Sequence, residues 1–262
     1  MKSARSSSGA NEAASPAFHF PAGLGANVRD VLRDFLTRAE QVFAEDLSAA
    51  VLFGSAADGA LRKSSDVNLI LVLCRFAPER ANLLKSDLET AEAAILLRVM
   101  FLARDEIPAA CEAFAQKFSD ILRRRVVLFG PDPFTGIIIP RAAQVWRLRQ
   151  VLLNLLLRTR EVYVEQERGS RIILSMLAES VGALRSSAVL ILLLEGRDDP
   201  KPKQALLEVA EQAAPGKFAV TLAKLSQLRE TGTLSDADAQ QAVIAVMELA
   251  AAMHERAAAL RP

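Results

Sequence analysis

Cysteine is nearly missing from these 262 residues: Cys74 and Cys111 are the only two. That excludes a disulfide framework and a cysteine-rich zinc site, and a reducing, cytoplasmic setting is the natural expectation. Histidine is as scarce, with His19 near the start and His254 near the end. Neither has the cysteines or carboxylates around it that zinc binding or histidine-based catalysis would require. Neither sign of charge dominates, since 32 Lys and Arg stand against 31 Asp and Glu for a formal net charge of +1. This removes the global electrostatic reason to expect nucleic acid or a membrane surface as a partner. No uninterrupted apolar run approaches the roughly twenty residues that cross a bilayer, so the expectation is a soluble chain. Residues 1–22, rich in Ser, Ala and Gly, lack the apolar stretch of a signal peptide and read as a disordered tail.

What is present is an apolar fraction of 51%, enough for a globular protein of two modest cores. The stretch around which the chain is arranged runs from Val51 to Leu73. Val51, Leu52 and Phe53 form a brief apolar run that stops at Gly54-Ser55, where a buried strand would give way to a short helix. A second strand opens at Asp66. Its alternation places Asp66, Asn68, Ile70 and Val72 on one face and Val67, Leu69, Leu71 and Leu73 on the other.

Phe53-Gly54-Ser55, with Ala57 and Gly59 following and Asp66 behind Ser65, resembles the signature of the nucleotidyltransferase superfamily of DNA polymerase beta and the kanamycin-type enzymes. The resemblance implies a nucleoside triphosphate held by Gly54, Ser55 and Gly59; Arg62 and Lys63 either add compensating positive charge to that site or are solvated loop charges. It further implies Mg2+ held by Asp66 and by whatever occupies position 68. A nucleotide would pass to a hydroxyl of a small molecule or a protein, and pyrophosphate would leave. Glycine suits such a turn because the main chain can approach a phosphate closely, and paired carboxylates on a strand suit the two-metal chemistry.

Three departures bear on that activity. Asn68 stands where the second carboxylate belongs, and a neutral amide oxygen is a weaker ligand for a hard cation. The later strand that carries a third acid in the superfamily reads Arg98 to Leu102 here, with Asp105 and Glu106 beyond its end. Asp58 adds an acid beside the phosphate site. The alternative reading is a catalytically degenerate member that binds nucleotide or acts as a regulatory or interaction protein.

Helical spacing predicts a helix over about 27–44, another from Pro78 through Ile95, and a third from Pro108 through Leu122. Strands are expected at about 98–103 and 126–129. Pro131, Pro133, Gly136 and Pro140 then form a link. Beyond it the pattern is helical throughout, at about 141–167, 170–195, 202–213, 217–230 and 235–260, with Ser235 and Asp238 as a capping box. The expected architecture is α+β: a small mixed sheet flanked by helices, followed by an all-α helical bundle. The expected divisions are a tail over 1–22, a nucleotidyltransferase-like domain over 23–138 and a bundle over 139–262.

Three features of the bundle stand apart. Val151 to Leu157 is apolar around the whole helix, which burial at a domain or homodimer interface would explain. Trp146 with Arg147 and Arg149 suggests a stacking patch, although a bundle helix with its aromatic inward and its arginines outward explains it more simply. Glu161, Glu165 and Glu167 read as a solvated helix face rather than as the source of a general base.

Overall fold

The computed structural model describes residues 18–59, 61, 65–164 and 170–262. Arg62, Lys63, Glu165 and Glu167, and the tail before Phe18, lie outside the described residues. Two compact units divide the chain. The first takes its described residues from 18–61, 66–104 and 125–133, and the second from 105–124 and 134–262.

The first unit is a four-stranded mixed sheet made of β1 (Leu47–Phe53), β2 (Val67–Leu73), β3 (Leu97–Ala103) and β4 (Arg125–Phe129). The strand order is β3-β2-β1-β4, with β2 and β3 parallel and the other two pairs antiparallel. Helix α1 (Ala26–Phe43) and helix α3 (Lys85–Ile95) share its core. Leu32, Phe35, Leu36, Ala39, Val42 and Phe43 form the buried stripe of α1, at the spacing that gives one apolar helix face. They meet Val67, Leu69, Leu71 and Leu73 of β2, the face that alternation assigns to the core. Ile70 and Val72, on the opposite face, are fully buried as well. The central strands therefore read as continuous apolar runs.

Several local details differ from the pattern in the sequence. β1 begins four residues before Val51, at Leu47, because Leu47, Ala49 and Ala50 pair with β2 and Ala50 pairs with β4 as well. The helix expected from Pro78 is broken: α2 (Pro78–Ala81) passes through a 3-10 turn at Asn82–Leu84 before α3. Phe18 and Phe20, expected in the tail, pack against the core of this unit, and His19 N–H donates to the Leu128 carbonyl at 2.9 Å. β2 starts at Val67, which leaves Asp66 just ahead of the strand.

The second unit is helical. It contains α4 (Ile107–Ala113), α5 (Ala115–Arg123), α6 (Arg141–Val164), α7 (Ser170–Leu194), α8 (Pro202–Ala213), α9 (Ala219–Thr231) and α10 (Asp236–Ala259). The single helix expected from Pro108 is two, bent at Phe114 where ψ leaves the helical region. Gln116 of α5 is buried and its amide donates to Ser186 and Ser187 of α7 at 2.9 and 3.1 Å. Phe118 meets Phe134 with ring centroids 5.9 Å apart.

Ile172–Leu194 within α7 is long and apolar enough to cross a membrane, although Glu179 and Arg185 keep it from being an uninterrupted run. In this fold it is the central helix of the bundle, with Leu177, Val181, Leu184, Ala188 and Ile191 in the core. Ala239, Ala242, Val243, Val246, Ala250 and Met253 of α10 are buried, as their spacing predicts. Both cysteines are free, Cys74 exposed and Cys111 buried, and burial pushes the Cys111 thiol pKa up.

Candidate functional site

The turn after β1 begins at Gly54, whose φ of +75° lies in the left-handed region that strains any other residue. A β-carbon there would stand 3.9 Å from Nδ2 of Asn68, so this glycine opens directly onto β2. The expected short helix is a three-residue 3-10 turn, Gly54–Ala56. Ala57 and Asp58 N–H groups donate to the Gly54 carbonyl at 3.1 and 3.3 Å, and Gly59 N–H to the Ala56 carbonyl at 3.4 Å. Those three amides are committed within the turn. Ser55 and Ala56 precede its first closed ring, the place where main-chain N–H groups are left for an outside acceptor.

Gly59 has a local reason to be glycine. Its φ is +67°, and a β-carbon on Gly23 would lie 3.2 Å from the Gly59 α-carbon. On Gly59 itself a β-carbon would meet the Gly23 α-carbon at an ordinary 3.6 Å, so the left-handed turn conformation accounts for this residue.

Asp66 is exposed and sits one residue before β2. Its carbonyl oxygen accepts a hydrogen bond from Nδ2 of Asn68 at 3.3 Å. The Asn68 amide thus turns back on its own strand entry. Strand pairing sets the neighbours of Asn68: Phe53 on β1 and Arg98 on β3, with Arg125 of β4 opposite Phe53. The row across the end of the sheet is therefore Arg98, Asn68, Phe53, Arg125. Arg98 is ion-paired with Glu92, and Nη2 of Arg125 lies 2.7 Å from Oδ2 of Asp132. The next row is wholly apolar, with Met100, Ile70, Val51 and Val127.

None of the four strands contains an Asp or Glu. Among the described residues no group of three or more His, Cys, Asp or Glu could hold a metal ion. A hard divalent cation shared with a triphosphate needs several anionic oxygens. Among the described residues this site offers the exposed carboxylate of Asp66 beside one neutral amide, with Asp58 in the preceding turn, and it places a guanidinium at the β3 position next to Asn68. The residues present do not fit a pair of magnesium ions.

Sequence reasoning singles out Gly54, Ser55, Asp66 and Asn68, of which the structure sets Gly54 beside Asn68 and Asp66 just ahead of β2. It misses Arg98 and Arg125 as neighbours of that row. The only signal was a charge at the start of each otherwise apolar strand, and strand order is needed to interpret it.

The second candidate patch departs from expectation. Trp146 is not turned inward but 64% exposed, with the Arg149 guanidinium 5.6 Å from its ring centre. Arg149 also donates to the carbonyls of Ala257, Ala258 and Leu260 at 3.0, 2.9 and 2.7 Å, which ties the end of α10 to α6.

The sequence matches no protein-family model and no curated protein. Among solved structures the chain is similar to spectinomycin adenyltransferase from Enterococcus faecialis, determined with ATP and spectinomycin. The TM-score is 0.61 at 12% identity, over 86% of this chain and 98% of that chain. At that identity the likeness concerns the fold. The chain has a nucleotidyltransferase fold, a mixed four-stranded sheet with helices and a helical C-terminal region.

Proposed function

We propose that this chain is a nucleotide-binding protein built on a nucleotidyltransferase fold, whose strands no longer carry the acids that two-metal nucleotidyl transfer requires. The observation that carries the proposal is the row Arg98, Asn68, Phe53, Arg125, which has an amide on β2 and a guanidinium on β3, the strands on which the superfamily's chemistry calls for the second and third carboxylates. In this reading the Gly54-Ser55 turn accepts the phosphates through main-chain N–H groups, and the Ser55 hydroxyl adds a donor. Arg62 and Lys63 supply further positive charge from the connection to β2. The solved neighbour's ATP makes a nucleoside triphosphate the first ligand to try, and its spectinomycin makes a small polar molecule the first acceptor.

Calorimetric titration of ATP, GTP, CTP and UTP, with and without magnesium, tests this reading. Weak binding that hardly changes on chelating magnesium is expected for the natural sequence. Asn68→Asp restores a second carboxylate and is expected to tighten binding about tenfold in the presence of magnesium only. Adding Asp66→Ala to Asn68→Asp should remove that gain. Robust magnesium-dependent pyrophosphate release by the natural sequence, abolished in Asp66→Ala, would overturn the degenerate-site reading in favour of an active transferase.

A further inference from the structure

Helix α6 buries Val145, Leu148, Leu152, Leu155, Leu156 and Thr159 within the helical unit. Its opposite side carries a second, unburied stripe. Trp146, Gln150, Leu153, Leu157, Arg160 and Val164 are all exposed, and four of the six are apolar. Trp146, Leu153, Leu157 and Val164 show 64%, 40%, 52% and 82% of their surface to solvent. Large apolar side chains lined up on one helix face at this exposure mark a contact surface rather than ordinary scatter.

The spacing of the stripe identifies the occupant. Steps of four, three, four, three and four residues separate the six positions, the alternation of a coiled-coil seam. That series reads the same in both directions, so the helix is complementary to itself when reversed. An antiparallel pair about a two-fold axis sets Trp146 against Val164 of the partner subunit and Leu153 against Leu157 of the partner subunit. Gln150, whose Oε1 accepts from Arg147 Nη1 of the same helix at 2.7 Å, meets Arg160 of the partner subunit, a neutral side chain against a guanidinium, in a layer on each side of the central leucines. The charges beside the seam also match. Arg147 and Glu161 each follow a seam position, and reversal brings Arg147 against Glu161 of the partner subunit. A parallel pair would instead stack Arg160 on Arg160 and Trp146 on Trp146.

We propose that this face of α6 is an interface for a second copy of the chain, pairing antiparallel with Leu153 against Leu157 at its centre. The inference is independent of the nucleotide-site reading. It divides the leucines of 151–157 between two roles, with Leu152, Leu155 and Leu156 in the bundle and Leu153 and Leu157 in the seam. From Trp146 to Val164 the seam is about 27 Å of helix at 1.5 Å per residue. A single helix pair of this length falls at the small end of stable interfaces, and a dimer that dissociates on dilution follows.

Sedimentation of the full chain across the micromolar range tests the pairing. A monomer–dimer equilibrium is expected, and Leu157→Glu should weaken it about a hundredfold, because it places two carboxylates in the apolar centre. Arg147→Glu should weaken it about tenfold, and Arg147→Glu with Glu161→Arg should restore it, which misfolding cannot imitate. Register is read with cysteines in a Cys74→Ser background. A mixture of Leu153→Cys and Leu157→Cys chains should cross-link well above either chain alone. A monomer at every concentration overturns the proposal. So does a dimer indifferent to Leu157→Glu, or one whose cysteine links form equally in the unmixed samples.

Discussion

Gly130 follows the last residue of β4 with φ at +73°, and a β-carbon there would lie 2.2 Å from the Ser48 carbonyl oxygen. Ser48 is itself at the register shift between Leu47 and Ala49, where the Arg104 guanidinium donates to its hydroxyl at 2.6 Å. The contact falls on backbone that β1 holds in place, so neither side can give way cheaply. Gly130→Ala is expected to cost about 3 kcal/mol or more, combining a left-handed alanine with a clash, as a shift in the urea midpoint would show. The sequence marks Gly130 as a strand end without revealing this approach, because Ser48 is 82 positions away. Asn68 was legible in the opposite sense. Its departure from a carboxylate shows in the motif alone and the lack of an acid on the strand from Arg98 shows in the sequence, but only strand pairing puts Arg98 beside it.

Among the elements, the helices of the second half follow their sequence signals closely, since each has a Gly or Pro boundary and an apolar stripe of its own. Gly232 ends α9 in the left-handed conformation, with its N–H on the Leu228 carbonyl at 2.8 Å. Ser235 caps α10 by accepting from the Asp238 N–H at 3.2 Å. The expected reciprocal bond of a capping box is replaced, because the Asp238 carboxylate takes the Lys224 ammonium at 2.6 Å and so links α10 to α9. Ser235→Ala should lower stability by about 1 kcal/mol in thermal or urea unfolding. The Lys224 ammonium, and after it the Ser235 hydroxyl, holds the Asp238 carboxyl below its ordinary pKa. A carboxyl depressed in the folded state stabilises it above the unfolded value of about 3.9 and loses that contribution as pH falls through the lowered value. The difference in melting temperature between the natural chain and Asp238→Asn should accordingly be full at neutral pH and shrink below about pH 4. Boundaries were less legible where no local signal existed. The small residues at 48–50 become strand only through the pairing of Ala49 and Ala50 with β2 and of Ala50 with β4, and the breaks at Asn82–Leu84 and Phe114 divide runs whose apolar spacing continues across them.

At the scale of the whole molecule, the order of elements along the chain and the order in which they pack are different. β3 ends at Ala103, the chain contributes α4 and α5 to the helical unit, and only then does it supply β4 to the sheet. Gln116, Phe118 and Arg123 hold α5 to its own unit, through Ser186 and Ser187, through Phe134, and through Asp199 at 3.0 Å. A fragment of residues 18–133 would keep every strand but leave Phe118 and Ile121 without the surfaces that bury them. It is expected to aggregate or to bind a hydrophobic dye strongly, whereas the full chain should not. No single cut yields two complete pieces. The helical unit is interleaved with the sheet rather than appended to it, so it cannot be gained or shed by joining or clipping the chain at one end. Any shortened relative that dispenses with the bundle would have to rebuild the passage between β3 and β4 at the same time.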